Sequence, residues 1–515
     1  MKAIPGKRWD NAIKSWRVPA SIDNLEKIKN IFPQATISAE ALQSVEVPAV
    51  DINDNIEYKF KTVPYEHQRR GFSYFNTLDY GLVAWEMGTG KTKLAIDVFS
   101  DRIIRKKCRK VLVVAPNSIL SNWYNEIKLH CPFNTEPVIV RGGRQHKIKL
   151  LAGQQAWTII NYDSVGTLET EVMQAGFDGI IADESHRIKN PQARRSKALH
   201  RIGVSVKYRL AMTGTPITQN PTDIFSQYKF INPAIYGPIF TSFKAKYLLM
   251  GGYGSYQVIG TKNLPDLNNK MYSCAMRVMK QDCLDLPDKV YEVRQVQMTA
   301  EQAQVYKQLC DYLIAEFRDT VITAPMIITK LLRLQQITGG YVSPAVDSTD
   351  IKFFKDNPKI AELLDIIEDI EQDKKIIIWA RFLPEILQIR EALDKAGHKY
   401  VVITGEVKEQ TRQALIDDFN NNPGTRIFVG QGQTAGIGIN LTAASYAVFY
   451  SNSYSYADRC QCEDRCHRVG SEVHKKITYI DLCAGGIDEV ILRVLKKKGD
   501  LASEVMSNPL VLRGE

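Results

Sequence analysis

Residues 88–92 combine the groups that bind the phosphates of a nucleotide. Their sequence, GTGKT, follows the apolar run GLVAW (81–85) and precedes KLAIDVF (93–99), which gives the order strand, loop, helix. Gly88 and Gly90 let the loop, with Thr89 between them, aim its backbone amides at a phosphate beside a helix N-terminus. Lys91 supplies positive charge to the β- and γ-phosphates, and Thr92 is placed to bind Mg²⁺. The pattern predicts a triphosphate site rather than a plain glycine turn.

A pair of acids follows another apolar run. The segment FDGIIADES (177–185) ends in Asp183 and Glu184. Carboxylates at a strand end beside a phosphate loop are typical of nucleotide hydrolysis, in which one orients Mg²⁺ and the other polarises the attacking water. We assign the first role to Asp183 and the second to Glu184. The alternative, that the pair only caps a helix, is less favoured beside the GTGKT loop.

The segment DRCQCEDRCHRVG (458–470) presents two possible chemistries. On a helix, Gln461, Arg465 and Arg468 would share one polar stripe. Such arginines are suited to reach a γ-phosphate held elsewhere and to stabilise the charge that develops during its transfer. An ordinary surface pair of arginines is the alternative for these two residues.

The same segment contains three cysteines and a histidine, which also raises the possibility of zinc. Cys462, Cys466 and Val469 would form an apolar stripe beside the arginines, so we expect the cysteines to pack against the lobe. A zinc site built from Cys460, Cys462, Cys466 and His467 would need a loop rather than a helix.

Two stretches of alternating strand and helix patterns must position these residues. Apolar runs in the first are GLVAWEMGTGKT (81–92), KVLVVAPNS (110–118), WTIINYD (157–163), FDGIIADES (177–185) and YRLAMTGTP (208–216). Those in the second are KKIIIWARF (374–382), KYVVITG (399–405), TRIFVGQGQ (425–433), SYAVFYSN (445–452) and KITYIDL (476–482). Apolar strands that alternate with helices predict an α/β protein with two parallel-sheet lobes.

The sequence between the two stretches has the spacing of apolar residues that is typical of helices. The segment TAEQAQVYKQLCDYLIAEF (299–317) has helical spacing and a capping box at Thr299 and Gln302, and IITKLLRLQQIT (327–338) stops at two glycines. The predicted domains are a small basic module at 1–55, a first lobe at 56–235, a helical insertion and connector at 236–350, and a second lobe at 351–515.

Composition limits the classes of protein that fit. The chain has 515 residues, 44% of them hydrophobic, a formal net charge of +10 and nine cysteines. An odd number of scattered cysteines favours a reducing, intracellular setting, and no apolar stretch is long enough for a signal peptide or a membrane span. The positive charge suggests a polyanionic partner.

Taken in order, these motifs resemble the Swi/Snf-like DNA translocases of helicase superfamily two. The resemblance covers residues 60 to 500 approximately and includes YEHQ (65–68), EMGTGKT (86–92), APNSILSNWYNEI (115–127), DESHRIKN (183–190), TGTP (213–216), LDLPDK (284–289), TAGIGINL (434–441) and QCEDRCHRVG (461–470). It implies two RecA-like lobes, with ATP and Mg²⁺ as cofactors. It also implies that His186 links the acid pair to the TGTP segment.

The resemblance adds residues to the predicted sites. It implies that Gln68 contacts the adenine and that Gly438 contributes to the nucleotide site. It implies DNA contacts for six residues: Asn117, Ser118, Thr213, Gly214, Thr434 and Asn440. Since phosphate contacts require no base recognition, little sequence specificity is expected.

The N-terminal sequence IPGKRWDNAIKSWRVP (4–19) is similar to a repeat of the HARP type. The alternative is a basic β-hairpin that only packs on the rest of the protein. Trp9 and Trp16 are suited to stack on exposed bases or to form the core of this small module.

The resemblance implies an ATP-dependent motor on duplex or forked DNA, with fork remodelling and strand annealing as compatible activities. No membrane partner is expected, a monomer is favoured, and the location would be the cytoplasm or nucleoid, or the host cytoplasm for a viral protein. A strand-separating DNA or RNA helicase is the nearest alternative. A non-catalytic zinc-stabilised nucleic-acid-binding module and an ATP-operated switch are alternatives from other classes.

Overall fold

The computed structural model describes residues 8–10, 15–17, 58–218, 221–251, 257–319, 324–343, 350–407, 409–432 and 439–506. Near the N-terminus, strands β1 (Arg8–Asp10) and β2 (Ser15–Arg17) pair antiparallel, with Trp9 opposite Trp16. The remainder of the predicted module at 1–55 lies outside the described residues, and the HARP assignment stays a prediction.

The first lobe is built on a seven-stranded parallel sheet. Its region of the chain contains β3 (Tyr80–Trp85), β4 (Val111–Ala115), β5 (Val138–Ile139), β6 (Trp157–Asn161), β7 (Gly179–Asp183), β8 (Tyr208–Met212), β9 (Leu248–Gly251), β10 (Gln257–Thr261) and β11 (Ala275–Val278). The sheet has the spatial order β11-β3-β8-β7-β4-β6-β5, while β9 and β10 form a separate antiparallel pair.

Helices cover both faces of this sheet. They are α1 (Glu66–Asn76), α2 (Lys91–Ile104), α3 (Leu120–His130), α4 (Arg144–Leu151), α5 (Tyr162–Thr167), α6 (Glu169–Gln174), α7 (Arg194–Ser205), α8 (Thr222–Ile231), α9 (Phe240–Tyr247) and α10 (Leu264–Tyr272). Side chains of β3 alternate between two apolar cores: Leu82 and Ala84 belong to one, and Val83 and Trp85 to the other. This burial on both faces explains why the strand is apolar throughout.

The second lobe repeats the plan with six parallel strands. Its strands and those beside it are β12 (Asp288–Gln295), β13 (Tyr341–Val342), β14 (Lys352–Phe353), β15 (Lys375–Ala380), β16 (Tyr400–Ile403), β17 (Ile427–Gln431), β18 (Ala444–Phe449) and β19 (Lys476–Cys483). The sheet order is β12-β19-β18-β15-β17-β16. The helices are α11 (Ala300–Asp319), α12 (Ala324–Thr338), α13 (Pro358–Asp369), α14 (Leu383–Lys395), α15 (Glu409–Asn421), α16 (Tyr456–Glu463) and α17 (Ile487–Met506).

The predicted fold class of two parallel-sheet α/β lobes is confirmed, and so are the two helices between them. The capping box is present, because Gln302 N–H donates to Thr299 Oγ1 at 3.1 Å and Thr299 N–H donates to Gln302 Oε1 at 3.0 Å. Within the ranges given above, no helix combines the length and apolar composition that crossing a bilayer requires.

The segment expected to be a helical insertion, 236–350, also contains strands, and its first part packs into the core of the first lobe. It contributes β11 to the first sheet and β12 to the second. Strand β12, DKVYEVRQ, lies at a sheet edge and is largely exposed, so it lacks the continuous apolar run of a central strand. The second lobe therefore receives a strand from before the helical bridge.

A buried acid joins the helical bridge to the second lobe. Glu385, in the first turn of α14, is fully buried, and its Oε2 accepts a hydrogen bond from Phe382 N–H at 3.1 Å and another from the Ser451 hydroxyl. Its Oε1 lies against Gly339, where an added Cβ would come within 2.4 Å. Burial raises the pKa of Glu385 to about 7.

This burial predicts a pH-dependent stability. Because the pKa is about 7 in the folded protein and 4.5 for an ordinary glutamate, the neutral acid is favoured in the fold and its contribution is lost as pH rises through about 7. We expect the free energy of unfolding of the second lobe to fall by up to about 3 kcal/mol between pH 5 and pH 8. In Glu385→Gln this part of the slope should disappear, as measured by urea denaturation across that range.

The exposed glutamate of the same helix provides the control, since Glu391→Gln should keep the wild-type slope. An unchanged slope in Glu385→Gln would show that the buried carboxyl is not the titrating group.

Candidate active site

The loop 86–90 connects β3 to α2 in the predicted strand, loop, helix order. Gly88 and Gly90 both have a φ of 81°, in the left-handed region that favours glycine, and Gly90 is the N-cap of α2. Lys91 and Thr92 then begin the helix. The chain therefore turns sharply and directs free N–H groups of the first helical turn into the space in front of the loop.

Lys91 is buried and bonds only to main-chain atoms. Its Nζ donates to the carbonyl oxygens of Trp85 at 2.9 Å and Glu86 at 3.0 Å. Burial lowers the pKa of Lys91, and the charges of Glu184 and Asp183 oppose that shift. The lysine thus sits at the loop without a hydrogen-bonded carboxylate. Thr89 differs, since its hydroxyl is buried and donates back to Glu86 O at 2.7 Å.

Gln68 lies behind the loop on α1. Its Oε1 accepts a hydrogen bond from Tyr65 N–H at 2.9 Å, and its Nε2 donates to Thr89 O at 3.4 Å. A Cβ on Gly90 would lie 2.0 Å from the same Nε2. Gln68 therefore supports the loop directly, and its contact with a base stays a prediction.

The two acids stand at the carboxyl end of β7, next to the loop. Asp183 accepts hydrogen bonds from Trp123 Nε1 at 2.7 Å and from Glu184 N–H at 2.9 Å. Burial, reinforced by the charge of Glu184, raises the pKa of Asp183 to about 6. Burial by itself raises the pKa of Glu184, but His186 and the nearby cations outweigh burial, so the pKa of Glu184 is lowered.

Glu184 has strained backbone geometry, and its carboxylate is buried beside His186. Its φ is 52°, which is rare for a residue with a side chain. Its Oε2 is buried and lies within ion-pair distance, 3.2 Å, of His186 Nδ1. His186 Nδ1 is also 3.2 Å from Thr213 Oγ1, as expected for a link between the acid pair and the TGTP segment.

The second lobe brings its two arginines to the same place, although not on a helix. Helix α16 ends at Glu463, so the predicted helical stripe of Gln461, Arg465 and Arg468 is wrong; both arginines lie in the turns that follow. The backbone leaves the helix because Arg465 N–H pairs with Cys462 O, three residues back, instead of continuing the helical pattern.

Arg465 is buried without a carboxylate partner in hydrogen-bond contact. Its Nε donates to Gln461 O at 2.8 Å and its Nη1 to Ile439 O at 3.1 Å, while Nη2 is 4.0 Å from Met87 Sδ of the first lobe. Burial lowers its pKa, and the charge of Arg468 acts in the same direction. A guanidinium in this position favours an anion beside it.

Arg468 faces the phosphate loop across the boundary between the lobes. A Cβ on Gly88 would come within 3.3 Å of Arg468 Cβ. Its guanidinium lines the cleft, and it forms no hydrogen bond or ion pair with any residue in the described ranges. Burial lowers its pKa as well.

A cleft of about 470 Å³ lies between these groups. Its lining includes Gln68, Gly88, Gly90, Lys91, Thr92, Asp183, Glu184, Arg465 and Arg468. The structure thus brings together the predicted loop, the acid pair and both arginines from widely separated parts of the chain. The predicted residue Gly438 lies outside the described residues.

The cysteines are packing residues of the second lobe. Cys462 and Cys466 are buried in the same apolar core as Trp379 and Tyr479, whereas Val469, predicted to share their stripe, is exposed. His467 Nε2 is 3.0 Å from Pro287 O. Among the described residues, no three side chains of the metal-binding types are grouped to hold a metal ion.

The residues predicted to contact DNA are distributed unevenly. Asn117 and Ser118 are exposed in a short 3₁₀ turn, Asn117–Ile119, and neither side chain caps the following helix. Asn440 is also exposed. Thr434 lies outside the described residues.

The TGTP segment was expected to contact DNA through Thr213 and Gly214, but the structure buries Thr213 and packs Gly214 against Met87. Thr213 is fully buried, with its hydroxyl directed to His186, so a side-chain contact with DNA is excluded in this conformation. A Cβ on Gly214 would lie 3.1 Å from Met87 N, which places this glycine against the segment leading into the phosphate loop.

Several residues of the site carried no individual sequence signal. Asp464 and Glu126 line the cleft, Trp123 holds Asp183, and Lys280 bonds to Asp464 although 184 positions separate them in the chain. Trp123, Glu126 and Asp464 lie within motifs quoted above, but the sequence predicts no role for them individually, and Lys280 lies outside every motif; only the fold shows these contacts.

Gly88 provides a test of how closely the lobes must approach. Gly88→Ala adds a methyl group between the phosphate loop and Arg468, so we expect ATP hydrolysis to fall by at least about tenfold. Gly237→Ala is the matched control, because Gly237 has a φ of 80° and no atom within 4 Å of an added Cβ. It should carry a similar backbone strain of about 1–2 kcal/mol without loss of activity. Equal activity in the two variants would contradict the close approach.

Metal analysis tests the cysteine assignment. We expect purified protein to contain far less than one zinc per chain. Cys462 and Cys466 are packed in an apolar core, and they are not arranged around a common point where a metal ion could bind. Stoichiometric zinc that is lost in Cys462→Ala and Cys466→Ala would overturn this interpretation.

Two models of known protein families match this chain. A model of the SNF2-related domain matches residues 67–342, and a model of the helicase conserved C-terminal domain matches residues 358–470. An uncharacterized ATP-dependent helicase of Mycoplasma genitalium is 25% identical over 451 residues, which are 86% of this chain and 42% of that protein. A putative ATP-dependent helicase/translocase of Bacillus subtilis is 26% identical over 449 residues, 83% of this chain and 46% of that protein.

The chain therefore spans less than half the length of these two relatives. Among solved structures, a Sulfolobus solfataricus SWI2/SNF2 ATPase core in complex with dsDNA is 27% identical, with 88% of this chain and 96% of that chain covered and a TM-score of 0.42. Since the SNF2-related model alone matches more than half of the sequence, this chain belongs to the SNF2-related family, with a helicase C-terminal domain in its second lobe.

Proposed function

We propose that this protein is a DNA-dependent ATPase that moves along duplex or forked DNA with little sequence specificity. The observation that carries the proposal is the cleft itself, in which a phosphate loop from one lobe faces two buried arginines from the other. The names of the two bacterial relatives, both ATP-dependent helicases, support the use of ATP.

The residues of the cleft fit a nucleoside triphosphate. Lys91, Arg465 and Arg468 bring three cations to one space, and none of them has a hydrogen-bonded carboxylate among the described residues. Buried charge is costly unless an opposite charge compensates it, so a polyanion is favoured there. The free amides at the start of α2 add further donors.

The same cleft fits Mg²⁺ beside the phosphates. Thr92 and Asp183 both line it and supply the hydroxyl and carboxylate oxygens that this ion prefers. When bound, the ion would neutralise charge that develops on the phosphates. Glu184, which lines the cleft and whose carboxylate lies beside His186, would hold and polarise the attacking water.

The loop residues and the arginines would act at different steps: the loop binds the phosphates, and the arginines act during hydrolysis. Lys91 is fixed in the first lobe and binds phosphate regardless of where the second lobe lies. Arg465 and Arg468 reach the γ-phosphate only when the lobes are together, so hydrolysis depends on closure. Alternate tightening and release of DNA by two lobes that open and close would then produce movement.

The DNA-binding surface is proposed to run past the carboxyl ends of both sheets. Asn117 and Ser118 follow β4 and are exposed, and Asn440 of the second lobe is exposed in the segment that leads into β18. Helix α3 follows Asn117 and Ser118 closely and carries Trp123, which holds Asp183. Contact with DNA at one end of this element therefore has a direct physical route to the acid pair.

Two substitutions test the catalytic assignment. Lys91→Ala and Arg468→Ala should each reduce DNA-stimulated ATP hydrolysis by at least about 100-fold, because each removes charge from the transferring phosphate. Arg201→Ala is the control, since Arg201 is an exposed arginine paired with Glu169 on the outside of the first lobe. Retained hydrolysis in either of the first two variants would count against the proposed site.

The nucleic-acid assignment needs a substrate panel. We expect duplex or forked DNA to stimulate hydrolysis by wild-type protein more than RNA does. Preferential stimulation by RNA would overturn the DNA assignment. Stimulation by single strands with release of the complementary strand would instead favour a strand-separating helicase.

A further inference from the structure

Lys280 is attached by its main chain to the phosphate loop. It follows β11, the strand that lies beside β3 at the edge of the first sheet. Lys280 N–H donates to Glu86 Oε2 at 2.8 Å, and Glu86 N–H donates to Val278 O at 2.9 Å. Because Glu86 is the first residue of the loop 86–90, these two bonds fix the position of Lys280 relative to the phosphate site.

The side chain of Lys280 crosses to the second lobe. Its Nζ donates to Asp464 Oδ1 at 2.5 Å and also to the carbonyl oxygen of His467. The side chains of Lys280 and Asp464 are only 5% and 14% exposed, so the ion pair is largely shielded from water. Asp464 and His467 belong to the same turn as Arg465 and directly precede Arg465 and Arg468 in sequence.

Because the Lys280–Asp464 ion pair is shielded from water, it favours the arrangement in which the two lobes are in contact. A buried ion pair that loses one partner leaves the other charge uncompensated, which is strongly unfavourable. Within the described ranges, Asp464 has no other side-chain hydrogen bond, so it depends on Lys280. Protein atoms alone form the contact, and it can therefore exist before a nucleotide binds.

We propose that Lys280 is a positioning residue, and that its ion pair with Asp464 holds the turn 464–468 against the phosphate loop so that both arginines point into the cleft. This inference rests on the proposed ATPase function. Lys280 touches neither the reacting phosphate nor the water; it acts through Asp464. The cleft supports this geometry, since a Cβ on Gly88 would lie 3.7 Å from Lys280 Cε and 3.3 Å from Arg468 Cβ.

The chain contains a matched control, a second lysine whose acid partner, Glu463, is adjacent to Asp464 in sequence. Lys289 Nζ bonds to Glu463 Oε2 at 3.0 Å, so it is another lysine paired with an acid at the end of α16. Lys289 lies on β12, however, and β12 belongs to the second sheet together with the rest of that lobe. The Lys289–Glu463 pair therefore stabilises one lobe and does not cross between the two.

The kinetic test uses four variants of the full chain: Lys280→Met, Asp464→Asn, the double variant and Lys289→Met. With duplex DNA present, Lys280→Met and Asp464→Asn should each lower kcat for ATP by at least about tenfold while KM changes by less than about threefold. The double variant should be no slower than the slower single variant, because both changes remove the same interaction. Lys289→Met should stay within about threefold of wild type, and Lys280→Arg should recover part of the lost kcat.

A structural measurement tests the position of the lobes independently of activity. Without nucleotide, small-angle X-ray scattering should give a larger radius of gyration for Lys280→Met and Asp464→Asn than for wild type and Lys289→Met. A wild-type kcat and radius in Lys280→Met, or additive losses in the double variant, would overturn the proposal. If wild type shows no DNA-stimulated hydrolysis, the proposed function fails, while the scattering comparison still decides whether the ion pair holds the lobes together.

Discussion

Buried positive charge governs the boundary between the two lobes. Among the described residues, Lys91 bonds only to the carbonyl oxygens of Trp85, at the end of β3, and Glu86. Arg465 bonds there only to carbonyls of its own lobe and approaches a sulfur of the other. Since no carboxylate of the described residues is hydrogen-bonded to either group, the protein alone compensates their charge incompletely, and burial lowers the pKa of both. Triphosphate oxygens in the cleft would complete the compensation, and both lobes must contribute for the set of cations to be complete.

The path of the chain between the lobes makes this boundary part of the site. Strand β11 ends the first sheet and β12 begins the second, with only residues 279–287 between them. At one end of that connection Lys280 bonds to Asp464, and at the other Pro287 O lies 3.0 Å from His467 Nε2. The connection therefore contacts the arginine turn twice. A change in the angle between the lobes would have to break or move these contacts, so lobe position and arginine position are physically linked.

Sequence patterns were sufficient where the chemistry needs particular residue types at short spacing. The loop at 88–92, the acids at 183 and 184 and the apolar central strands all meet that condition. They were insufficient where the outcome depends on distant contacts. Strand β12 lacks an apolar run because it lies at an exposed sheet edge. The burial of Thr213 depends on a contact between its hydroxyl and His186, which follows a different strand, and a local sequence pattern does not reveal such a contact. Helix α16 ends before Arg465, although the sequence continues with good helical spacing, since the following turn is held by Lys280 and the phosphate loop.

A structure of the protein with ADP, beryllium fluoride, Mg²⁺ and duplex DNA would test the central claim most directly. Beryllium fluoride occupies the place of the γ-phosphate, so the positions of the Arg465 and Arg468 guanidinium groups can be measured against it. Both should lie within hydrogen-bonding distance, about 3 Å, of its fluorine atoms, with Lys91 on the opposite side. Guanidinium groups turned away from the nucleotide, with the lobes closed around it, would contradict the shared site.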